Sequence, residues 1–319
     1  MHSLCGPGRS TVTLPFISQL QACIIITIMT TYLITGGAGF IGTNLCERLV
    51  VEGSRVIVVD NLIGGKKERL PAEIVFHQVD ICDHEALVSV MKGVDVVVHL
   101  AALPRVQFSI EHPFEAQHTN VDGTLSVLEA VRKNGVKRVV YAASSSAYGD
   151  QAVMPLREDM IPAPKSPYGL HKYYGEVMMK LWYDIHGIET VSLRFFNVYG
   201  PHFDPNGAYA LVIGRFLKQR SEGSPMTIYG DGEQTRDFTH VRDIVEGIVL
   251  ASQSASVGTG EVFNLGAGRN ITINRIAELV GGPVEYGAPR IEPKHTQADS
   301  SKIKAALGWE PKINVEEGI

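Results

Sequence analysis

Between Thr30 and Phe195, short runs of consecutive apolar residues alternate with longer stretches whose apolar positions return every three or four residues. The runs Thr31–Thr35, Arg55–Asp60, Ile74–Gln78, Val94–Leu100, Arg138–Ser144 and Thr190–Phe195 predict strands. The periodic stretches Ile41–Glu52, His84–Lys92, Pro113–Asn134 and Pro167–His186 predict amphipathic helices. The strand runs are apolar throughout instead of alternating with polar residues, so both faces of their sheet must be covered. Strand and helix in succession imply a parallel sheet with right-handed crossovers, that is, a doubly wound α/β fold of the Rossmann type. After Asn197 the texture changes to Gly- and Pro-rich loops with shorter elements. The pattern therefore predicts a main domain of residues 29–196 plus 236–264, to which a helix over Thr239–Ala251 returns. A smaller α/β lobe of residues 197–235 plus 265–319 would cover the substrate.

With 319 residues, 45% hydrophobic and 20% charged, the chain can bury a large core. A net charge of −5 argues against nucleic acid as a main partner, which would require a basic stripe. Cys5, Cys23, Cys46 and Cys82 form no C-x-x-C pair and no metal-ligand spacing, and read as reduced thiols of a cytoplasmic protein. No metal is expected. Residues 1–28 differ from the rest, and their apolar patch from Ala22 to Met29 is far shorter than the ~20 residues a bilayer span needs. They are expected to be an extension outside the core, with Met29 as the functional start and no membrane partner. At the other end Val315–Gly318 opens a new segment, which predicts a terminal helix cut short at Ile319.

Thr35-Gly36-Gly37-Ala38-Gly39-Phe40-Ile41-Gly42 lies between the first strand and the first helix. Glycines there allow a tight turn, close backbone approach to a pyrophosphate and helix–sheet packing, while the helix N-terminus offers N–H groups to phosphate. The second strand ends in Asp60, an acid placed to bind ribose hydroxyls and to repel a 2′-phosphate, which favours NAD over NADP. Gly36, Gly39, Phe40, Ile41, Gly42, Asp60 and Asn61 are thus candidate cofactor contacts. Asp80 and Ile81 follow the third strand, where Asp80 either faces the adenine or is a solvated loop acid. Leu100, Ala101 and Ala102 follow the fourth strand, where small side chains let the cofactor pass close to the backbone.

Tyr168-Gly169-Leu170-His171-Lys172 sets a tyrosine and a lysine four residues apart, on one face of a helix. A neighbouring ammonium lowers the pKa of a phenol and makes it a usable base. Ser144 ends the fifth strand, the edge at which such sheets bind ligands, and its hydroxyl can share the moved proton. An amphipathic surface face and a plain serine turn would explain the same residues.

Taken together, Thr35–Gly42, Asp60, Ser144 to Ser146 and the Tyr168/Lys172 pair resemble the extended short-chain dehydrogenase/reductase family, from Thr30 to the end of the chain. Leu193–Pro201 and Arg236–Val241 are similar to segments of nucleotide-sugar epimerases, and Asp204–Ala210 more narrowly to those of UDP-N-acetylglucosamine 4-epimerases. The resemblance implies NAD as cofactor and Ser144, Tyr168 and Lys172 as the catalytic set. It puts Asn120 against the cofactor, Ser144, Ser145 and Ser146 against the sugar, Asn197 at the sugar diphosphate, and Arg236 and Arg290 at the UDP phosphates. Tyr229 would lie against the uracil or in the core. Arg290-Ile291-Glu292 departs from the family by being one residue tighter than its Arg-x-x-acid spacing.

The implied reaction is C4 epimerisation of a UDP-hexose through a transient 4-keto sugar. Thr296 aligns where a bulky tyrosine gates out N-acetyl groups, so N-acetylated hexoses are expected to fit. UDP-glucuronate 4-epimerases would carry the same catalytic set. Dehydratases and decarboxylases place acids after the serine, where this chain has Ser145 and Ser146. A non-catalytic dinucleotide sensor would not need both Tyr168 and Lys172. The family likeness also implies a homodimer, with Pro113–Asn134 and Pro167–His186 pairing as a four-helix bundle.

Overall fold

The structure, a computed structural model, describes residues 29–203, 212–289 and 294–319. In chain order its strands are β1 (Thr31–Thr35), β2 (Arg55–Asp60), β3 (Val75–Gln78), β4 (Val96–His99), β5 (Arg138–Ser144), β6 (Glu189–Phe195), β7 (Asn197–Tyr199), β8 (Met226–Tyr229), β9 (Thr235–His240), β10 (Thr259–Leu265), β11 (Asn270–Thr272) and β12 (Val284–Gly287). Its α-helices are α1 (Phe40–Val51), α2 (His84–Val90), α3 (Val106–Glu111), α4 (Pro113–Gln117), α5 (Gly123–Asn134), α6 (Pro167–His186), α7 (Val212–Ser221), α8 (Val241–Gln253), α9 (Ile273–Val280), α10 (Ser301–Leu307) and α11 (Val315–Gly318).

Seven strands form a parallel sheet in the order β3-β2-β1-β4-β5-β6-β10. Successive side chains of a strand point to opposite faces, and here both faces are buried. Leu33, Ile57, Val59, Val97 and Val139 pack with Leu87 of α2, Val127 and Leu128 of α5 and Met178 of α6. Their neighbours Ile34, Val58, Val98, Val140 and Leu193 pack on the other side with Leu45 of α1 and Ile244 and Ile248 of α8. The doubly wound Rossmann fold follows from this two-sided burial. β1 pairs with both β2 and β4, so the order reverses there and opens a crevice beyond the strand ends.

At Phe196 the chain passes from β6 into β7, which joins β9 and β11 in a separate three-stranded sheet. β8 and β12 form a pair, and Phe216, Met226, Ile228 and Ile276 make the core of this region. The first five residues after the boundary drawn at 236 therefore lie in β9, outside the seven-stranded sheet.

Three local differences from the expected elements have physical causes. The helix expected over Pro113–Asn134 is interrupted by a π-turn at His118–Asp122, where the Gly123 N–H bonds the His118 carbonyl five residues back. Gly123 packs so tightly on Ile81 that a Cβ there would stand 2.6 Å from Ile81 Cδ1. The helix expected from Thr239 starts at Val241, because His240 closes β9 and caps α8 by accepting from the Arg242 N–H at 3.1 Å. Neither α3, six residues long, nor β10, whose Thr-Gly-Glu-Val-Phe-Asn-Leu run is only half apolar, carries a periodic signal. No helix among the described residues is long and apolar enough to cross a membrane.

Candidate active site

The crevice is lined by bare backbone where β1 turns into α1. Gly36 has φ +69°, and a Cβ on it would stand 2.8 Å from the Ala101 nitrogen. A Cβ on Gly42 would stand 2.5 Å from the Gly36 carbonyl oxygen, to which the Gly39 N–H donates at 3.1 Å. The N-cap of α1 is Gly39, with no side-chain cap, so Phe40, Ile41 and Gly42 present the first-turn amides that an anion requires.

Asp60 is buried at the end of β2. Its Oδ2 accepts from the Ala38 N–H at 3.0 Å and its Oδ1 from the Leu62 N–H at 2.8 Å. Burial pushes its pKa up, with the two N–H donors opposing. A carboxylate has about four lone-pair sites, so acceptor capacity remains for ribose hydroxyls. The Asn61 amide donates to Asp80 Oδ2 at 2.8 Å, and Asp80 Oδ1 takes the Cys82 N–H at 2.8 Å. Ile81 is buried beneath Gly123. Asn120, inside the π-turn, is 4% exposed, and its amide is engaged with Leu103, accepting from the N–H at 2.8 Å and donating to the carbonyl at 3.2 Å.

Ser144, Tyr168 and Lys172 meet at the ends of β5 and α6, all nearly buried. The Ser144 hydroxyl eases ionisation of the Tyr168 phenol, and Ser144 Oγ accepts from the Ser146 N–H at 3.1 Å. Ser145 and Ser146 form a single helical turn beside it. α6 starts sharply: Ser166 Oγ accepts from the Gly169 N–H at 3.1 Å, and Pro167 occupies the first turn. The Tyr168 N–H donates to Ser109 Oγ at 3.1 Å, so α3, absent from the expected elements, helps to hold the tyrosine. Two glycines bring α6 down onto β5 and the turn after it, since a Cβ on Gly169 would stand 2.6 Å from Ser146 O and one on Gly175 2.2 Å from Tyr141 Oη.

Lys172 Nζ donates to the Ala142 carbonyl at 2.8 Å and lies 4.9 Å from the Tyr141 ring centre. Burial pushes its ammonium down to about 7, with Glu176 pulling the other way. The expected lowering of the phenol by this lysine is not what the arrangement gives. Burial dominates and pushes Tyr168 up, and the opposing influence is the Ser144 hydroxyl.

In the smaller lobe, Asn197 and Thr296 meet at one residue that the sequence did not single out, Asp237, next to Arg236 on β9. Asn197 Nδ2 donates to the Asp237 carbonyl at 3.4 Å, and the Asp237 N–H donates to Thr296 Oγ1 at 3.4 Å. Arg236 Nη1 donates to the Thr235 carbonyl at 2.9 Å and to that of Lys294 at 3.4 Å. The fully buried Asp237 carboxylate accepts from the N–H groups of Ala267, Gly268 and Ala298, each at 2.9 Å. Burial pushes it up to about 6 against those three donors. Tyr229 sits instead at the end of β8, its ring 5.0 Å from the Arg215 guanidinium. Arg290, Glu292 and Asp204–Ala210 lie outside the described residues. Among the described residues no group of three or more His, Cys, Asp or Glu could hold a metal ion.

A sheet of this order, with a glycine loop at its switch point, makes the chain a dinucleotide-binding doubly wound protein. The pattern of the NAD dependent epimerase/dehydratase family matches residues 32–266, and the chain belongs to that family. It is 37% identical over 309 residues to a UDP-glucuronate 4-epimerase of Thermodesulfobacterium geofontis, covering 90% of this chain and 93% of the relative. The crystal structure of a UDP-glucose 4-epimerase from Thermotoga maritima with UDP-glucose has TM-score 0.87 at 38% identity, covering 91% of this chain and 96% of that one. A UDP-N-acetylglucosamine 4-epimerase from Methanobrevibacter ruminantium, in complex with UDP-N-acetylmuramic acid, has TM-score 0.86 at 34% identity, with coverage of 91% and 96%. NAD is the cofactor of the family, and the side-chain-free cradle at Gly36 and Gly42 fits a dinucleotide.

Proposed function

We propose that the chain interconverts the C4 epimers of a UDP-hexose and accepts N-acetylated sugars. The observation that carries this reading is the shared burial of Ser144, Tyr168 and Lys172, with Lys172 one turn beyond Tyr168 on α6 and hydrogen-bonded to the Ala142 carbonyl of β5. In this reading Gly36–Gly42 hold the pyrophosphate of NAD, Asp60 with Asn61 its ribose, Asp80 and Ile81 its adenine side. Leu100, Ala101 and Ala102 form the wall beside it. Lys172, and Asn120 through Leu103, keep its reacting end in place. Arg236 and Asn197 anchor the UDP diphosphate, and the sugar faces Ser144 to Ser146.

Bound NAD supplies a reversible hydride acceptor for C4. Tyr168, acting as its phenolate and relayed by Ser144, takes the proton of the 4-hydroxyl and later returns it. The 4-keto sugar would turn within the pocket while the diphosphate stays anchored, so that its opposite face is presented for reduction. Ser145 and Ser146 are poor acids and bases, which disfavours elimination of water. The small Thr296, hydrogen-bonded to β9, leaves room for an N-acetyl group. UDP-glucuronate is the second candidate substrate, given the similarity to a UDP-glucuronate 4-epimerase.

The same reading makes the protein a homodimer. Leu170, Tyr174, Val177, Leu181 and Ile185 of α6 are each 45% to 62% exposed and recur every three or four residues, and Phe114 of α4 is 91% exposed. Such a stripe, continued onto α4 and α5, suits a second copy packed helix on helix.

The test is to incubate purified protein, without added NAD, separately with UDP-glucose, UDP-N-acetylglucosamine and UDP-glucuronate. The C4 epimer of UDP-N-acetylglucosamine is the expected product. Turnover of UDP-glucuronate alone would establish the second candidate, and turnover of none would refute epimerisation.

A further inference from the structure

His99, at the end of β4, is fully buried and takes no part in the proton transfers above. Its Nδ1 lies 2.7 Å from Thr35 Oγ1 and its Nε2 lies 3.0 Å from Thr124 Oγ1. The neighbours decide which nitrogen carries the proton. Thr124 gives its hydroxyl proton to the Asn120 carbonyl at 2.7 Å, so it accepts from His99 Nε2–H. Thr35 Oγ1 accepts the Ala101 N–H at 3.3 Å, which leaves its own proton for His99 Nδ1. The chain of donors runs from Ala101 N–H through Thr35, His99 and Thr124 to the Asn120 carbonyl, and every member is satisfied by one neutral tautomer. Protonating the ring would set Nδ1–H against the Thr35 hydroxyl proton. Burial, with Lys172 nearby, keeps the imidazole neutral and pushes its pKa down to about 3.

The two ends of this relay act on one short segment. Thr35 holds the Ala101 N–H, and the Asn120 amide brackets both backbone groups of Leu103. That segment stands against the glycine loop, where a Cβ on Gly36 would come within 2.8 Å of Ala101. We infer that His99 is a positioning residue for NAD: it locks the Ala101–Leu103 wall to β1 on one side and to the π-turn on the other, and so sets the width of the dinucleotide crevice. The π-turn supports this, because it puts Asn120 and Thr124 one widened turn apart and both inward, buried at 4% and 2% exposure. Phenylalanine fills the same volume but can bridge neither threonine. Glutamine supplies a donor and an acceptor and can restore part of the link.

The inference concerns the cofactor half alone and stands whichever sugar is the substrate. The experiment measures NAD carried through purification, its rate of release from the holoenzyme, and the affinity of the protein for UDP. His99→Phe is expected to release NAD about ten- to a hundredfold faster, the range expected for losing buried hydrogen-bond partners. UDP affinity should stay within about twofold, and His99→Gln should recover part of the retention. Amide hydrogen exchange at Ala101 and Leu103 should speed up in His99→Phe. A variant that melts earlier yet holds NAD as the parent does would show a purely structural histidine and overturn the inference. If His99→Phe does not fold, Thr124→Val cuts the relay at its outer end with little change of volume, and unaltered NAD release there would overturn it equally.

Discussion

The Arg194 guanidinium grips the Glu176 carboxylate in parallel fashion, Nε to Oε1 at 2.8 Å and Nη2 to Oε2 at 2.7 Å, with both side chains 3% exposed. Glu176 lies one turn beyond Lys172 on α6, and Arg194 lies on β6 with its guanidinium 4.4 Å over the Tyr148 ring. The pair therefore ties the helix carrying the proposed base to the sheet. Removing one partner strands a buried charge: Arg194→Met should cost about 3–5 kcal/mol, and adding Glu176→Leu should recover most of it. Urea unfolding of the single and double variants reads both numbers, and an additive double variant would show that the two residues do not act as a pair.

Lys172 gives the cofactor-free protein a pH-dependent stability. In the folded chain its ammonium loses its proton at about 7, in the unfolded chain near the ordinary 10.5. Between these values the unfolded chain binds more protons, so stability should rise with pH by up to about 1.4 kcal/mol per unit. The buried Tyr168 phenol, pushed up, works in the opposite sense above its ordinary value of 10.0. Lys172→Met should flatten the slope, and denaturation midpoints across this window test it.

Tyr168→Phe removes the proposed base and keeps its ring. Turnover should fall by about 10²–10⁴-fold while bound NAD stays at the parent level. Near-normal turnover in this variant would remove Tyr168 from the mechanism.

Thr296 is hydrogen-bonded to the backbone of Asp237, beside Arg236. Thr296→Tyr should lower kcat/KM for UDP-N-acetylglucosamine by about tenfold more than for UDP-glucose, within the range that steric exclusion of a small group achieves. Equal loss for both sugars would dismiss the gate.

Leu181→Asp places a charge in the exposed stripe of α6. Sedimentation is expected to give a dimer for the parent and a monomer for the variant, with NAD content unaltered, since Leu181 is half exposed and far along α6 from Lys172. An unchanged sedimentation coefficient would place any self-association elsewhere.

The doubly wound sheet was legible in the chain because its signal is local. β1, β2, β5 and α6 have the bounds that apolar runs and the 3.6-residue period predict. The glycine loop and Asp60 were legible for the same reason, since turn, helix start and strand end lie within 30 residues of one another. Ser144 at its strand end and Tyr168 with Lys172 on one helix face were legible too, whereas the hold of Ser109 on the Tyr168 backbone belongs to the fold.

Hidden from the sequence were the features made by residues far apart in the chain. Asp237 looks like one acid among many until three backbone N–H groups from two other segments converge on it. His99 ends an apolar strand and gives no periodic sign of the two threonines, 64 and 25 residues away, that determine its tautomer. The π-turn at His118–Asp122 leads into Gly123, packed closely on Ile81, and leaves no mark in the helical pattern. The sequence by itself determined which segments are strands, which are helices, and where backbone must be bare, because these depend on neighbouring residues. The tertiary structure alone decided which buried polar groups satisfy one another, because a buried donor takes whichever acceptor the packed chain brings within reach, however distant in sequence.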